Sequence, residues 1–402
     1  TGMLLRVALF LTCVVGGHGF GHALLQEFAM DKSLTNLNHG SYGATPRGVL
    51  HAERAWQDEM ESSPDLWFRY DMYKLLDQVR ERVARYIGAK AKDLVFVQNA
   101  SHGVNAVLRS LRVPKDKAVL YLNLAYGMVK NTLSFLDEEF GEQLNMVNVT
   151  FPTTPSNILD IVRAQLEANP GKYYVASLSH ITSVPAIILP IKELAALLHE
   201  HGVLLLVDGA HAMGQIPINV TDLGADFYVS NGHKWLYSPK GSAFLWVRED
   251  RQSLVWPTVI SMEGQGASLF QKGFSYEGTM DYSSYMSFRD AIEFRERLGE
   301  REIIEYIHSL AVQGGERLAS AWGTEKLVDD SMIGAMVNVG LPPMAEHVVE
   351  NLPKTLLQRN NTWIPVFPVQ GQWYTRVSAQ IYNELSDFDF LARAVLEIAA
   401  AG

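Results

Sequence analysis

The chain has little cysteine and no long apolar run, and each absence excludes a class of protein. Cys13 is the single cysteine among 402 residues, so an intrachain disulfide and a Cys-x-x-Cys zinc site are both excluded. Chemistry that needs a cysteine nucleophile in the body of the chain is excluded with them. No segment beyond the first 17 residues is apolar for long enough to predict a transmembrane helix. We therefore predict neither a metal site nor an association with membranes.

Positive charge is also scarce. The chain carries 34 Lys and Arg against 44 Asp and Glu, which gives a formal net charge of −10. This balance argues against a nucleic-acid partner, although a pocket for a small anion can still form locally. The apolar content of 48% and the charged content of 19% are ordinary for a globular enzyme, and the length allows one large domain and a smaller one.

The first 17 residues allow two interpretations. A basic start with Arg6, an apolar stretch from Val7 to Val15 and two following glycines are typical of a secretory signal peptide. The alternative is a buried N-terminal helix, or an arm that packs on a partner subunit. The first interpretation predicts a secreted protein and the second a cytoplasmic one. Sequons occur too often by chance to decide between them; they lie at Asn99, Asn148, Asn219 and Asn360.

The body of the chain alternates short apolar runs with helical patterns. Residues 72–87 carry apolar side chains at helical spacing, and similar patterns recur at 104–111 and 191–201. The apolar runs show little polar alternation, as is typical of strands covered on both faces. The predicted strands are residues 94–97, 118–122, 173–178, 203–207, 227–230 and 243–247. This alternation predicts an α/β fold, with a mostly parallel sheet and helices on both faces.

The predicted domains follow from where this alternation stops. Residues 251–282 break it with four glycines and are predicted to form a long loop, which in a compact domain is usually functional. Helical patterns near 287–321, an apolar run at 335–339 and a closing helix near 386–400 then predict a smaller α+β domain. The predicted divisions are a leader or arm (1–17), an N-terminal segment near the active site (18–45), a large cofactor-binding domain (46–285) and a small C-terminal domain (286–402).

Two motifs at strand ends carry the strongest chemical signal. Asp208 in VDGAH follows one apolar run, and Lys234 in SNGHKW follows the next. Open α/β sheets bind ligands at the carboxyl ends of their strands. Taken singly, such an aspartate is more often a helix cap and a lone lysine usually lies on the surface. Together they point to pyridoxal 5′-phosphate (PLP), which needs a lysine for its Schiff base and an acid that keeps its pyridine nitrogen protonated.

The phosphate of this cofactor needs a site as well. The small residues of Asn99-Ala100-Ser101-His102-Gly103 lie between a predicted strand and a helix, where backbone amides at a helix N-terminus bind phosphate. A plain serine N-cap explains the same residues. The turn therefore indicates a phosphate site only in combination with the aspartate and the lysine that follow it in the sequence.

With these motifs the chain resembles the aminotransferase class V family of fold type I PLP enzymes. Within it, the chain is similar to the isopenicillin-N-epimerase-like branch, which includes ergothioneine-pathway C–S lyases and cysteine-desulfhydrase-like proteins. The resemblance covers about residues 18–400 and implies the PLP-dependent transferase fold. It rests on LNHGSYGATPRGV at 37–49, FVQNASHGVNAVLR at 96–109, VDGAHAMGQ at 207–215, NGHKWLYSPKG at 231–241, EGTMD at 277–281 and RVSAQIYN at 376–383.

The resemblance implies roles around the cofactor. Lys234 corresponds to the Schiff-base lysine, Asp208 to the partner of the pyridinium, and His211 to a residue near the phenolic oxygen. Tyr126 corresponds to an aromatic ring that stacks on the pyridine, although alone it would be read as a core tyrosine. The residues implied at the phosphate are Ser101, His102, Asn231, His233 and, from a neighbouring subunit, Gly278 and Thr279. The last two imply a homodimer with shared active sites.

The resemblance also implies residues for an amino-acid substrate. Arg376 corresponds to the arginine that binds the α-carboxylate, because a planar guanidinium holds a carboxylate at two points; a surface ion pair is the alternative. Asn38 and His39 are expected to line the substrate entrance, and Thr182 to contact the substrate. The family often has Asp-His ahead of this last loop, whereas this chain has Ser179-His180, so its substrate contacts differ.

The resemblance leaves three reactions open. PLP makes the Cα–H bond acidic, and Lys234 is then the natural general base. Loss of a β-sulfur group would make the protein a C–S lyase, which converts L-cysteine or an S-substituted cysteine (sulfoxide) to aminoacrylate and then to pyruvate and ammonia. Reprotonation on the opposite face would make it an epimerase, and transfer of the amino group an aminotransferase. The branch resemblance favours the lyase.

Two further interpretations are weaker. A persulfide-forming cysteine desulfurase needs a mobile catalytic cysteine, and Cys13 lies in the apolar leader. A relic that keeps the fold as a non-catalytic interaction module is disfavoured because Lys234, Asp208 and Arg376 are all retained.

Overall fold

The structure is a computed structural model that describes residues 19–261, 266 and 268–401. The predicted leader or arm at 1–17 lies outside the described residues, and Cys13 lies there too. No helix within the described ranges combines the length and apolar character that crossing a bilayer requires.

A seven-stranded sheet forms the centre of the molecule. Its spatial order is β1-β7-β6-β5-β4-β2-β3, and every neighbouring pair is parallel except the two pairs that β7 makes with β1 and β6. The prediction of a mostly parallel α/β sheet is therefore confirmed. The strands are β1 (Leu94–Val97), β2 (Ala118–Leu122), β3 (Gln143–Val147), β4 (Tyr173–Ser179), β5 (Leu204–Asp208), β6 (Phe227–Asn231) and β7 (Ala243–Val247).

Helices cover both faces of this sheet. The α-helices of the described part of the chain, which include three that pack with the C-terminal strands instead (α13 to α15), are α1 (His39–Tyr42), α2 (Arg47–Ser62), α3 (Pro64–Leu66), α4 (Met72–Tyr86), α5 (Ala100–Ser110), α6 (Gly127–Phe140), α7 (Pro155–Ala168), α8 (Ile191–Glu200), α9 (Gly232–Trp235), α10 (Leu269–Ser275), α11 (Ser283–Met286), α12 (Phe288–Leu298), α13 (Glu300–Trp322), α14 (Glu346–Asn360) and α15 (Leu385–Ala401). A π-helical turn at Trp67–Asp71 joins α3 to α4.

Alternate residues of the strands enter two separate cores. On β5, Leu206 packs into the core that contains α5 and α6, whereas Leu205 and Val207 point into the larger core on the other face. The side-chain period of two along a strand produces this division. Because both faces are buried, the strands show apolar runs without polar alternation, which is the pattern that predicted them.

A second, three-stranded antiparallel sheet lies in the C-terminal region. Its order is β8-β10-β9, with β8 at Met336–Gly340, β9 at Val366–Val369 and β10 at Gln372–Ser378. Helix α13 packs on β8, and α15 packs on α13. The exact division into domains stays a prediction.

Two elements differ from the sequence expectations. Strand β3 was not predicted, because it lies at the sheet edge and only Val147 of its five residues is buried. The predicted loop at 251–282 contains helix α10, which begins where the Ser268 hydroxyl accepts the Gln271 N–H and which buries Phe270 and Phe274. Residues 262–265 and 267 of that loop lie outside the described part.

Candidate active site

A cavity of about 170 Å³ opens at the carboxyl ends of the parallel strands. Strand β4 ends there at Ser179, β5 at Asp208 and β6 at Asn231. This edge is where sheets of this type bind ligands. The predicted site residues that line the cavity are Ser101, Tyr126, Asp208, His211, Asn231, His233 and Lys234.

Asp208 is a buried acid with an unused oxygen. Its Oδ1 accepts the Ala210 N–H at 3.0 Å, and the side chain has no other hydrogen bond among the described residues. Burial raises its pKa, while the Ala210 N–H and the charge of Lys234 act against that rise. A carboxyl group in this state gains most from a cationic N–H partner, and a pyridinium is such a partner.

Lys234 contacts His211 rather than a carboxylate. Its Nζ is 3.0 Å from His211 Nε2, and the Trp235 indole N–H donates to His211 Nδ1 at 3.3 Å. Burial lowers the pKa of Lys234 to about 8, with Asp208 opposing and Arg376 adding to the effect. The amine is therefore poised to react near neutral pH.

The backbone around this lysine is held from two sides. His39 Nε2 donates to the Lys234 carbonyl at 2.7 Å, and Arg295 donates to the Trp235 carbonyl at 2.7 Å. Gly43 approaches the same turn so closely that a Cβ there would lie 1.9 Å from the His233 carbonyl oxygen. The N-terminal segment thus packs directly against α9 and fixes where the Lys234 side chain starts.

The N-terminus of α5 faces the same cavity. Asn99 caps this helix by accepting the His102 N–H at 2.9 Å, and Asn231 accepts the Ala100 N–H at 2.8 Å. The N–H and hydroxyl of Ser101 between them have no partner among the described residues. Free donors at a helix N-terminus favour a phosphate group.

Only part of the predicted phosphate set lies at this turn. The His102 side chain points away from the cavity, where its Nε2 lies 2.6 Å from Thr258 Oγ1 and 3.2 Å from Glu277 Oε1. Gly278 and Thr279 do not line the cavity of their own chain, and the Thr279 hydroxyl bonds to Tyr276 at 2.7 Å. His233 does line it, with its Nδ1 3.1 Å from the Ser242 carbonyl oxygen.

Arg376 lies at the opposite end of the site and is fully buried without an acid. One terminal nitrogen donates to Asn38 Oδ1 at 2.7 Å and to Ser41 Oγ at 2.9 Å, and the other donates to the Ser183 carbonyl at 2.9 Å. Its Nε has no hydrogen-bond partner, and no carboxylate among the described residues pairs with it. Burial lowers its pKa to about 10. The predicted alternative of a surface ion pair is wrong.

Two of the residues predicted at the substrate lie elsewhere. His39 is 1% exposed, and its ring nitrogens are bonded to the Tyr382 hydroxyl and the Lys234 carbonyl, so it supports the lysine from behind. Thr182 is also buried, and its hydroxyl accepts the Ile187 N–H at 3.0 Å, which fixes the loop instead of contacting a ligand. Asn38 contacts Arg376 directly.

Two serines near Arg376 were missed from the sequence. Ser41 and Ser183 both line the cavity and both accept hydrogen bonds from Arg376. Ser183 lies in a loop and Ser41 in the short helix α1, and a serine at either position has no sequence signal that distinguishes it from other serines. Tyr126 was found, and it is 49% exposed at the cavity, so the interpretation as a core tyrosine is wrong.

These residues fit PLP by their donor chemistry. Lys234 offers an amine, Asp208 offers a free carboxyl oxygen, and Ser101 offers unpaired donors at a helix N-terminus. Arg376, with its unpartnered Nε, adds a place for a carboxylate. The described residues contain no cluster of three or more His, Cys, Asp or Glu side chains suited to a metal ion.

Sequence similarity to known proteins extends over almost the whole chain. An L-cysteine desulfhydrase-like protein of Epichloe uncinata is 30% identical over 94% of this chain and 95% of its own length. A hercynylcysteine sulfoxide lyase of Schizosaccharomyces pombe is 26% identical, over 94% and 97%. An isopenicillin N epimerase of Amycolatopsis lactamdurans is 28% identical, over 93% and 97%.

The fold is shared with solved structures as well. The cystine C–S lyase C-DES, in complex with its reaction product cysteine persulfide, superimposes with a TM-score of 0.78 at 18% identity, covering 90% of this chain and 97% of that one. The sequence pattern of aminotransferase class V matches residues 45–359, a span that contains both Asp208 and Lys234. The chain therefore belongs to the aminotransferase class V family.

Proposed function

We propose that this protein is a PLP-dependent C–S β-lyase that acts on L-cysteine or an S-substituted cysteine such as a sulfoxide. The observation that carries the proposal is a cavity lined by Lys234 and by two serines, Ser41 and Ser183, that accept hydrogen bonds from Arg376. This arginine pairs with no carboxylate among the described residues. The products are a sulfur compound and 2-aminoacrylate, which hydrolyses to pyruvate and ammonia. Relatives named as a cysteine desulfhydrase-like protein and a sulfoxide lyase support this choice.

The residues of the chain would hold the cofactor at three points. Lys234 would bind its aldehyde carbon, Asp208 would bind the pyridine nitrogen, and Ser101 at the α5 N-terminus would bind the phosphate. When bound, PLP supplies an electron sink that stabilises negative charge at the substrate Cα. Asp208 maintains that capacity by keeping a proton on the ring nitrogen.

The substrate is oriented by Arg376 and deprotonated by Lys234. Arg376 binds the α-carboxylate, and its hydrogen bonds to Asn38, Ser41 and Ser183 fix the plane of the guanidinium. Lys234 Nζ, as an uncharged amine, accepts the Cα proton. The Cβ–S bond then breaks, and the sulfur leaves with the bonding electrons.

The main alternative is an amino-acid epimerase, which the similarity to an isopenicillin N epimerase favours. An epimerase returns a proton to Cα on the opposite face, so it exchanges the Cα proton with solvent and forms no keto acid. An aminotransferase differs again, because it requires an added keto acid.

The test uses purified protein supplied with PLP. We expect an absorbance band from the lysine-bound cofactor that changes when L-cysteine or an S-substituted cysteine is added, together with pyruvate release. The variant Lys234→Ala should lose both signals, whereas Lys240→Ala, six residues along, should retain them. A change of the band with Cα proton exchange but no pyruvate would establish epimerisation instead. Absence of any cofactor band would favour the interpretation of the protein as a non-catalytic relic.

We also propose a homodimer in which Gly278 and Thr279 enter the partner's site. Thr279 is exposed, and large apolar side chains nearby in the chain are exposed as well: Trp256, Val259, Ile260 and Leu269. Exposed apolar groups of this kind mark interaction surfaces.

Complementation between two inactive variants tests the shared site. Lys234→Ala supplies an intact Thr279, and Thr279→Glu supplies an intact Lys234 while placing a negative charge at the phosphate. Unfolding and refolding them together should restore activity in the mixed dimers. Full activity of Thr279→Glu alone, or a monomer by light scattering, would contradict the proposal.

We further propose, from the apolar leader alone, that residues 3–17 direct secretion. Expression of the full chain in a eukaryotic secretory host should then release protein that starts after Gly17. N-terminal mass spectrometry of intracellular protein that retains residue 3 would favour the arm interpretation.

A further inference from the structure

The His211 ring lies between Lys234 and Trp235, and both of its nitrogens have a partner. Nε2 is 3.0 Å from Lys234 Nζ, and Nδ1 is 3.3 Å from Trp235 Nε1. His211 and Trp235 are both buried, at 3% and 0% exposure, so bulk water does not compete for these contacts.

The indole determines where the ring carries its proton. An indole N–H is only a donor, so Nδ1 of His211 has to be the acceptor. His211 is neutral, because burial, together with the charges of Lys234, Arg376 and His233, holds its pKa well below the ordinary value. A neutral imidazole has one N–H, and here it lies on Nε2.

The Nε2 proton faces the amine of Lys234. A donor opposite Nζ requires a lone pair there, and an ammonium group has none. The geometry thus selects the uncharged amine, which is the form that attacks an aldehyde and accepts a proton. Asp208, His233 and Arg376 are the other ionisable groups at this lysine, and only Asp208 favours the ammonium form.

We propose that Trp235 is a positioning residue: its indole N–H fixes His211 in the Nε2–H tautomer, and His211 then favours the uncharged amine of Lys234 over its ammonium form. The proposal goes beyond the lyase assignment, on which it rests only for the identity of Lys234 as the lysine that binds PLP. The tautomer itself is a property of the protein without cofactor.

The chain offers a matched control in Trp246. This side chain is 5% exposed on β7, and its indole nitrogen has no hydrogen-bond partner among the described residues. Replacement of Trp246 by phenylalanine therefore removes a buried indole of the same size without a contact to His211. Any general effect of losing a buried tryptophan appears in both variants.

The first experiment observes the tautomer directly by NMR. The full chain, labelled with ¹⁵N-histidine and freed of cofactor, is recorded at pH 9.5, above the Lys234 pKa of about 8, and the His211 signals are identified by their absence in His211→Gln. We expect an unprotonated Nδ1 and a protonated Nε2 in the wild type and in Trp246→Phe, and a mixed or reversed population in Trp235→Phe. A wild-type proton on Nδ1 would overturn the proposal even if Trp235→Phe failed to fold.

The second experiment measures the charge of the lysine through the rate of PLP association with the cofactor-free chain. The wild-type rate should rise with pH to a midpoint near 8, as the pKa of Lys234 requires. In Trp235→Phe, Nε2 becomes free to accept a proton from an ammonium group, so the midpoint should move to higher pH. Each unit of that movement slows association at neutral pH about ten-fold.

Failure of the proposal for Trp235 and failure of the proposed function give different results. An unchanged midpoint in Trp235→Phe, equal to that of Trp246→Phe, would overturn the coupling to Lys234. Loss of PLP binding at Lys234 in every variant, with the tautomer as expected, would instead contradict the proposed function.

Discussion

Two arginines in the described part of this chain are fully buried, but only one of them is paired with an acid. Arg295 forms two hydrogen bonds to Glu300, both at 2.7 Å, and donates its remaining N–H groups to backbone carbonyls of Trp235 and Gly214. Arg376 has only neutral acceptors and an Nε without a partner. The two guanidinium groups are equally hidden from water, so their difference lies in what neutralises them.

The pKa values follow the same division. Burial opposes the charge of Arg295, but Tyr86 and Glu300 together raise its pKa above the ordinary value. Burial lowers the pKa of Arg376 to about 10, because no acid offsets the lost hydration. A buried cation without an acid is costly unless a ligand supplies the negative charge. The comparison therefore separates an arginine whose charge is neutralised within the fold from one whose charge is left for the substrate carboxylate of the proposed function.

The largest expected effect is on the fold, in Arg295→Met. Loss of this arginine leaves two buried carbonyls without their donor and the half-buried Glu300 carboxylate with only the Tyr86 hydroxyl as a side-chain donor. We expect the free energy of unfolding to fall by about 3–5 kcal/mol, measured by urea denaturation of the holoprotein. A loss below about 1 kcal/mol would show that Arg295 is not the structural arginine of the pair.

The next effect is on catalysis, in Arg376→Lys. A lysine keeps the charge but cannot bind a carboxylate at two points, so kcat/KM should fall about 30- to 1,000-fold. This corresponds to a loss of transition-state stabilisation of about 2–4 kcal/mol. The free energy of unfolding should change little, because the native contacts of Arg376 are to neutral groups. A variant with unchanged kcat/KM and reduced stability would reverse the roles assigned to the two arginines.

Lys234 extends the comparison to a third buried cation, and its signature is a pH dependence. Burial lowers its pKa from 10.5 to about 8, so folding disfavours the ammonium form. The cost is complete below pH 8, decreases as the pH rises and is absent above 10.5, where the unfolded chain is neutral as well. In the cofactor-free chain, Lys234→Met should thus be the more stable protein at pH 7.

That advantage should amount to about 3 kcal/mol at most and should shrink between pH 8 and 10.5. Urea denaturation at pH 7, 8.5 and 10 measures it, with replacement of the exposed Lys354 of α14 by methionine as the control. A difference that does not depend on pH would mean that Lys234 carries no charge penalty in the folded state.

Among the strands of the large sheet, the sequence predicted those that are mostly buried and missed the one that is not. Strands β5 and β6 were visible as apolar runs, and Asp208 and Lys234 were found because they follow those runs directly. Strand β3 was missed because an edge strand that is half in water has a mixed composition. Burial on both faces requires an apolar composition that the sequence shows, whereas a partly exposed strand at a sheet edge requires no such composition.

For some residues near the site, the position was predicted correctly but the direction of the side chain was not. His39 and Thr182 lie near the site, but their side chains form hydrogen bonds within the protein. His39 contacts the Tyr382 hydroxyl and the Lys234 carbonyl, and Thr182 contacts the Ile187 N–H. Ser183, the neighbour of Thr182, contacts Arg376 and lines the cavity, whereas Thr182, which was expected to contact the substrate, does neither. A shift of one residue in a loop reverses the direction of a side chain, and no pattern in the sequence reports it.

The central claim is that Lys234 binds PLP, and borohydride reduction of the holoprotein tests it most directly. Reduction fixes the cofactor to its amine, and peptide mass spectrometry then identifies the lysine. We predict a single modified peptide that carries the cofactor on Lys234, and none in Lys234→Ala. A cofactor on Lys240 or on another lysine, or no modified peptide at all, would contradict the account.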